Sequence, residues 1–356
     1  MSFSEILGQD RAKKFLKQVM AKKRIPHAYI FTGIPGIGKT KTAVALTMAL
    51  NCREQGEGDG CGCCPPCRRI RGGNSPDFQI IEPESKEGVS GDDGNPSKAP
   101  KRGLQNIKID QIRDLNQKLA FSPFGRYRVS VIRQAETMAE AAANSFLKTL
   151  EEPPPGNILI LNVTEPRDLL PTIVSRCQRV PFQPLPVESV KDWLVREIGL
   201  DEEIATILSR ASGGSIGRAL KMTESNYVDN RRKWLLRLIN LPGLSMEDAL
   251  EMAIECADEG TGRAQAAGAD ASVMDMLAIW ESWYRDLLIV KSGGPSHLLM
   301  NSDFSLELDK IAKSSKIEGL GDGLLAIDRS QHELGRMRNK KLVVEHTVLN
   351  LKRLTA

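Results

Sequence analysis

The run Gly33-Ile-Pro-Gly-Ile-Gly-Lys39-Thr40 constrains this chain more than any other feature. It fits G-x-x-x-x-G-K-[ST] without a mismatch, the pattern of a loop whose backbone N–H groups turn inward around phosphates. Gly33, Gly36 and Gly38 allow the turn. Lys39 brings a mobile cation to the β- and γ-phosphates, and Thr40 offers a hydroxyl to Mg²⁺. The N-terminus of the next helix adds a favourable dipole. His27-Ala-Tyr-Ile-Phe31 ahead of the loop reads as a buried strand, and Thr40 to about Leu50 behind it as a helix. Strand, loop and helix are the context that the motif requires, so ATP or ADP is the expected ligand.

The carboxylates that should accompany this loop are missing from their expected place. A metal-assisted nucleotidase needs one acid to hold Mg²⁺ and a neighbour to orient water, both at the end of a later apolar strand. The best candidate strand, Arg128-Val-Ser-Val-Ile132, runs into Arg133-Gln134. Arg133 would set a cation where a cation should bind, and Glu136 is expected to point elsewhere. The other strong strand, Asn157–Val163, ends in Asn162 with Glu165 beyond. The chain is therefore expected to bind nucleotide, to hold Mg²⁺ poorly, and to hydrolyse weakly.

With 356 residues the chain should form two or three domains. Its 41% hydrophobic and 26% charged content is that of an ordinary soluble protein. A net charge of +4 is too small to argue for nucleic acid. No apolar run approaches membrane-span length, and Met1-Ser-Phe-Ser-Glu5 lacks a signal-peptide plan, so a cytoplasmic location is expected.

Of seven cysteines, five lie within residues 52–67, which in such a chain favours metal over disulfides. Cys52-x₈-Cys61-x₂-Cys64-x₂-Cys67 offers two C-x₂-C steps to one ion, with Cys63 a bystander. Ferredoxin-type runs open similarly but need a further cysteine nearby, and the next is Cys177, so zinc is the favoured reading. Cys177 and Cys256 read as small core residues.

Phe78–Ile81, Arg128–Ile132 and Asn157–Val163 read as strands, and Ile109–Leu119 and Ala139–Glu152 as helices. Their alternation predicts a parallel sheet covered on both faces. Residues 84–103, almost without apolar side chains, read as a mobile surface insertion. Beyond Pro181–Pro186 helical periods dominate. The predicted division is an α/β domain over 1–183, a small helical domain over 184–240, and a second helical domain over 241–356. Gly260–Ala271 and Gly293–Pro295 interrupt the last.

These pieces follow one order: the phosphate loop, the cysteine insertion, Asn144-Ser-Phe-Leu-Lys-Thr-Leu-Glu-Glu-Pro-Pro154, Ser175-Arg176-Cys177 and Gly213–Leu220. The whole resembles the clamp-loader subunits of bacterial DNA polymerase III, members of the AAA+ group, strongly over the first 220 residues. Arg133-Gln134 and Trp283-Tyr-Arg-Asp286 look like the delta-prime type; the intact Lys39-Thr40 departs from delta-prime subunits that lack it. The resemblance implies an AAA+ P-loop domain with a zinc module, a helical lid and an all-α collar. It implies that Arg176 is a finger completing the ATP site of a neighbouring motor subunit. It makes Arg218 the second nucleotide sensor and Thr164, or Asn162, the first, and sets Gly8-Gln9 and His27 near the base. The implied partners are gamma/tau and delta subunits, the sliding clamp and, through the complex, primed DNA. The implied role is that of a weak or non-catalytic ATPase subunit in a holoenzyme with DNA-directed DNA polymerase activity. A gamma/tau-like motor ATPase and a stand-alone P-loop enzyme are the alternatives. The second lacks a substrate constellation, since the histidines are scattered at 27, 297, 332 and 346.

Overall fold

A computed structural model describes residues 2–54, 58–84, 106–258, 269–336 and 338–355. The predicted insertion at 84–103, Glu84 excepted, and most of the break at 260–271 lie outside the described residues. The chain divides into two compact units, residues 1–190 with 213–218, and residues 191–212 with 219–356.

The first unit is built on five parallel strands: β1 (Ala28–Thr32), β2 (Phe78–Ile81), β3 (Arg128–Ile132), β4 (Asn157–Val163) and β5 (Gln178–Pro181). Their order is β2-β3-β4-β1-β5. Side chains alternate between two cores, as period-2 geometry demands. Tyr29, Phe31, Val129, Val131, Ile158 and Ile160 join α1 (Asp10–Ala21), α2 (Lys39–Asn51) and α3 (Pro65–Arg71) on one face. Ala28, Ile30, Ile132, Leu159 and Leu161 join α4 (Ile109–Leu119), α5 (Glu140–Glu151) and α6 (Pro171–Val174) on the other. Burial on both faces is why these strands read as unbroken apolar runs. β5 escapes that reading because its one buried residue, Val180, stands between Gln178-Arg179 and Pro181, with no apolar run around it.

The strand order positions the site. β4 lies directly beside β1, with Phe31 opposite Asn162 and Thr32 opposite Val163. The loop after β1 therefore meets residues 162–164 first, and the end of β3 lies one strand further out. Open parallel sheets bind ligands at these carboxyl ends.

Helix α7 (Val187–Trp193) ends the first unit's continuous stretch and enters the second. The second unit contains α8 (Glu202–Ala211), α9 (Ile216–Glu224) from Ala219, α10 (Tyr227–Asn240), α11 (Met246–Asp258), α12 (Ala269–Lys291), α13 (Ser305–Ser314), α14 (Ile317–Gly335) and α15 (Lys340–Thr355). Its core centres on Trp280 and Trp283, and the Trp280 indole N–H donates to the Trp234 carbonyl at 3.0 Å. Asp286, fully buried, accepts from the backbone N–H of Met300 (2.9 Å) and Asn301 (2.7 Å) and from the Asn301 side chain (2.9 Å). Asn301 in turn accepts from Arg231, which forks onto Asp303 at 2.8 Å. A buried carboxylate persists only with such donors, so Trp283-Tyr-Arg-Asp286 is a packing and anchoring segment of this unit.

Candidate phosphate loop and cysteine centre

Gly33, Gly36 and Gly38 have φ of +137°, +76° and +108°, values that side chains rarely adopt. At Gly36 space forbids a side chain as well, since a Cβ would lie 2.5 Å from Ser215 Oγ and 3.0 Å from the Arg218 nitrogen. The turn at 213–218 is laid against the loop. Ser215 Oγ donates to the Pro35 carbonyl at 2.8 Å, and the Gly217 N–H to the Gly36 carbonyl at 3.0 Å. The expected sensor Arg218 thus has its backbone beside the loop, while its side chain is exposed.

Lys39 opens α2 and is buried; its ammonium donates to the Gly33 carbonyl and, at 3.1 Å, to that of Ile34. Thr40 Oγ1 accepts from Asn162 Nδ2 at 3.1 Å. The Gly33 N–H donates to the carbonyls of Val163 (3.2 Å) and Thr164 (3.1 Å), so both expected first-sensor residues adjoin the loop. Burial pulls Lys39 down to about 8, opposed by the negative charge of Glu136. The sign for binding follows. Below that value the ammonium is charged and available to phosphate; above it the free chain loses the proton that an anion needs. Affinity for ADP is expected to fall as pH rises through about 8, by at most about tenfold per unit. Titration of a fluorescent ADP from neutral to alkaline pH measures this. The decline should vanish in Lys39→Gln.

Two expectations about the acids change. Arg133 does not intrude on the loop: its guanidinium pairs with Glu82, just beyond β2, at the surface. Glu136 does not point away. Gln134 adopts a left-handed conformation (φ +50°), which starts the 3₁₀ turn Ala135–Thr137 and folds the chain back. One Glu136 oxygen lies 3.4 Å from Thr164 Oγ1, and the other is buried with no donor among the described residues. Gln134 is exposed, so the strand-end pair itself supplies no acid.

Gln9 is occupied by Gln183, donating to its carbonyl at 2.8 Å and accepting from its N–H at 3.0 Å. His27 precedes β1 while the phosphate loop follows it, so the strand's own length of about 16 Å separates them. Arg176 lies just past α6, half-exposed, donating to Glu151 at 2.9 Å and to the Thr172 carbonyl at 3.0 Å.

Cys52, at the end of α2, Cys61, Cys64, at the start of α3, and Cys67 bring their sulfurs within 4.8 Å of one another. The Cys52 and Cys64 sulfurs are 4.0 Å apart, against about 3.8 Å for thiolates at tetrahedral corners around zinc. Backbone N–H groups point at two of the sulfurs. Cys61 N–H donates to the Cys52 sulfur at 3.4 Å, and Cys64 N–H to the Cys61 sulfur at 3.3 Å. Donation from the Cys64 and Cys63 backbone lowers Cys61 to about 6, whereas burial raises Cys52 and Cys67. The donor set fits zinc. Cys63 turns outward towards Glu54 (3.9 Å), consistent with a bystander. Cys177, partly buried and raised to about 12 by desolvation, and Cys256, buried, lie outside the group.

An intact phosphate loop at the carboxyl end of β1, backed by β4, defines an α/β protein of the P-loop class. The chain belongs to the family described as DNA polymerase III, delta subunit, whose model matches residues 8–186. It is 27% identical over 348 residues to the delta-prime subunit of DNA polymerase III from Bacillus subtilis, covering 96% of both chains. The Escherichia coli delta-prime subunit matches at 30% over 201 residues, 56% of this chain and 55% of that one. The tau subunit of Bacillus subtilis matches at 30% over 228 residues, 62% of this chain but 37% of its own length.

Proposed function

We propose that this chain is a delta-prime-type subunit of the DNA polymerase III clamp loader, in which it binds ATP or ADP, turns it over poorly, and completes the site of a neighbouring motor subunit. One observation carries the reading: an intact phosphate loop stands near a strand end where Arg133 is tied to Glu82 and Gln134 faces solvent. Similarity to a delta-prime subunit along nearly the whole of both chains supports the subunit type.

Bound nucleotide would supply the phosphates that draw Lys39 off the Gly33 and Ile34 carbonyls, and would place a divalent ion near Thr40. Gly36 N–H and Gly38 N–H would line the phosphate cradle, and the 213–218 turn would hold the loop's outer side. Cys52, Cys61, Cys64 and Cys67 would hold zinc and fix the end of α2. Arg176 would act in trans, Arg218 and Thr164 as sensors. In this reading residues 1–183 form the AAA+ domain, 184–240 the lid, and 241–356 a collar that binds gamma/tau and delta subunits. The sliding clamp and primed DNA would be met through that complex. No helix among the described residues is long and apolar enough to cross a membrane.

A motor role is the second reading, and a Glu136 carboxylate held by Thr164, with its negative charge acting on Lys39, is the observation in its favour. The test of the first is reconstitution. Mixing the chain with gamma/tau and delta subunits should give a stable complex on gel filtration, with more ATP turnover than the parts. A chain that stays apart from them refutes it.

A further inference from the structure

We infer that Glu136 and Asn162 form the oxygen-donor site for the divalent cation that accompanies a nucleotide on the Gly33–Thr40 loop, in place of the acids missing after β3. The inference rests on the nucleotide-binding reading above.

The geometry begins at Thr40, whose hydroxyl sits where such a cation would be met. Asn162 donates its amide to that hydroxyl at 3.1 Å. Asn162 is 4% exposed, and its carbonyl oxygen has no donor among the described residues. Glu136 approaches from the neighbouring turn. One carboxylate oxygen is engaged by Thr164 Oγ1 at 3.4 Å, and the second is sealed from solvent without a donor. Thr164 in turn accepts the Gly33 N–H through its carbonyl at 3.1 Å, so the carboxylate is fastened to the loop's first residue. Its charge acts on Lys39, which places it within electrostatic reach of the phosphate site.

Two buried acceptors without donors are costly unless something donates to them or coordinates them. Lys39 donates to the Gly33 and Ile34 carbonyls and to neither of these oxygens. A hard cation with its water shell suits them. Mg²⁺ takes oxygen ligands, keeps several waters, and lets outer oxygens accept from those waters. Strand order explains why sequence position misleads here. β4, not β3, adjoins β1, so the residue at the end of β4 and a side chain folded back onto β4 reach the loop first.

The experiment uses the full-length chain and measures ADP and ATP affinity with Mg²⁺ and with excess chelator, for wild type, Glu136→Gln, Glu136→Asp and Lys39→Ala. Mg²⁺ should tighten binding to wild type. Glu136→Gln should lose about ten- to a hundredfold in the presence of Mg²⁺ and nothing in its absence, with Glu136→Asp retaining part of the effect. Equal Mg²⁺ dependence in wild type and Glu136→Gln overturns the inference. So does tighter binding by Glu136→Gln regardless of cation, which would make the carboxylate a simple repulsive charge. Either result, with Lys39→Ala still abolishing binding, leaves the nucleotide reading standing. Absence of binding to wild type under both conditions removes both readings together.

Discussion

Cys67→Ser is expected to empty the cysteine centre and to loosen the phosphate loop with it. Cys67 is fully buried in the same core as Leu46, Met48 and Leu50 of α2, and its thiol faces the Met48 carbonyl. The centre closes on Cys52 at the end of α2, and the phosphate loop opens the other end of that helix. Structural zinc contributes on the order of 10 kcal/mol to the folding of small modules, and serine is a far poorer ligand than thiolate. Wild-type protein should carry about one zinc per chain by elemental analysis. Cys67→Ser should carry almost none, unfold at lower temperature, and bind ADP more weakly. Cys63→Ser removes a thiol that lies outside the four-sulfur group, beside Glu54 and Cys61, and should keep its metal. Iron in place of zinc, or equal metal loss in both variants, would contradict the assignment.

The second large effect is expected in a partner. Arg176→Ala should lower ATP turnover by the assembled motor subunits by about a thousandfold if the guanidinium meets the neighbour's γ-phosphate. The local structure should barely register the change. The pair with Glu151 is half-exposed on both sides, and such pairs contribute about 0–1 kcal/mol. Assembly on gel filtration should therefore persist. Arg176→Lys should restore little, because an ammonium lacks the planar fork that spans phosphate oxygens. Unchanged turnover in the complex would show that Arg176 is a surface arginine tied to Glu151 and nothing more.

Much of the first unit was legible because its physics is local. Val129, Val131, Ile158 and Ile160 alternate with Ile132, Leu159 and Leu161 between two cores, so β3 and β4 read as continuous apolar runs. The glycine loop and the cysteine spacing carry their chemistry in their own order. Two things were hidden. β5 sets Val180 between Gln178-Arg179 and Pro181, and so offers no apolar run. Glu136 needed a single left-handed residue, Gln134, which no periodicity announces. The role of Asp286 was hidden for a related reason: its donors, Met300 and Asn301, lie a whole loop away.

Glu136 sharpens the central question, since a carboxylate near Lys39 can hold a cation without orienting water. The decisive measurement is a single-turnover assay on the isolated chain, with stoichiometric radiolabelled ATP and Mg²⁺. The expected result is retention: ATP recovered intact from the protein over a period in which motor subunits complete many cycles, with no retention by Lys39→Ala. Conversion to ADP at ordinary ATPase rates, lost in both Lys39→Ala and Glu136→Gln, would make the chain a motor with Glu136 as its catalytic acid, and would contradict the account.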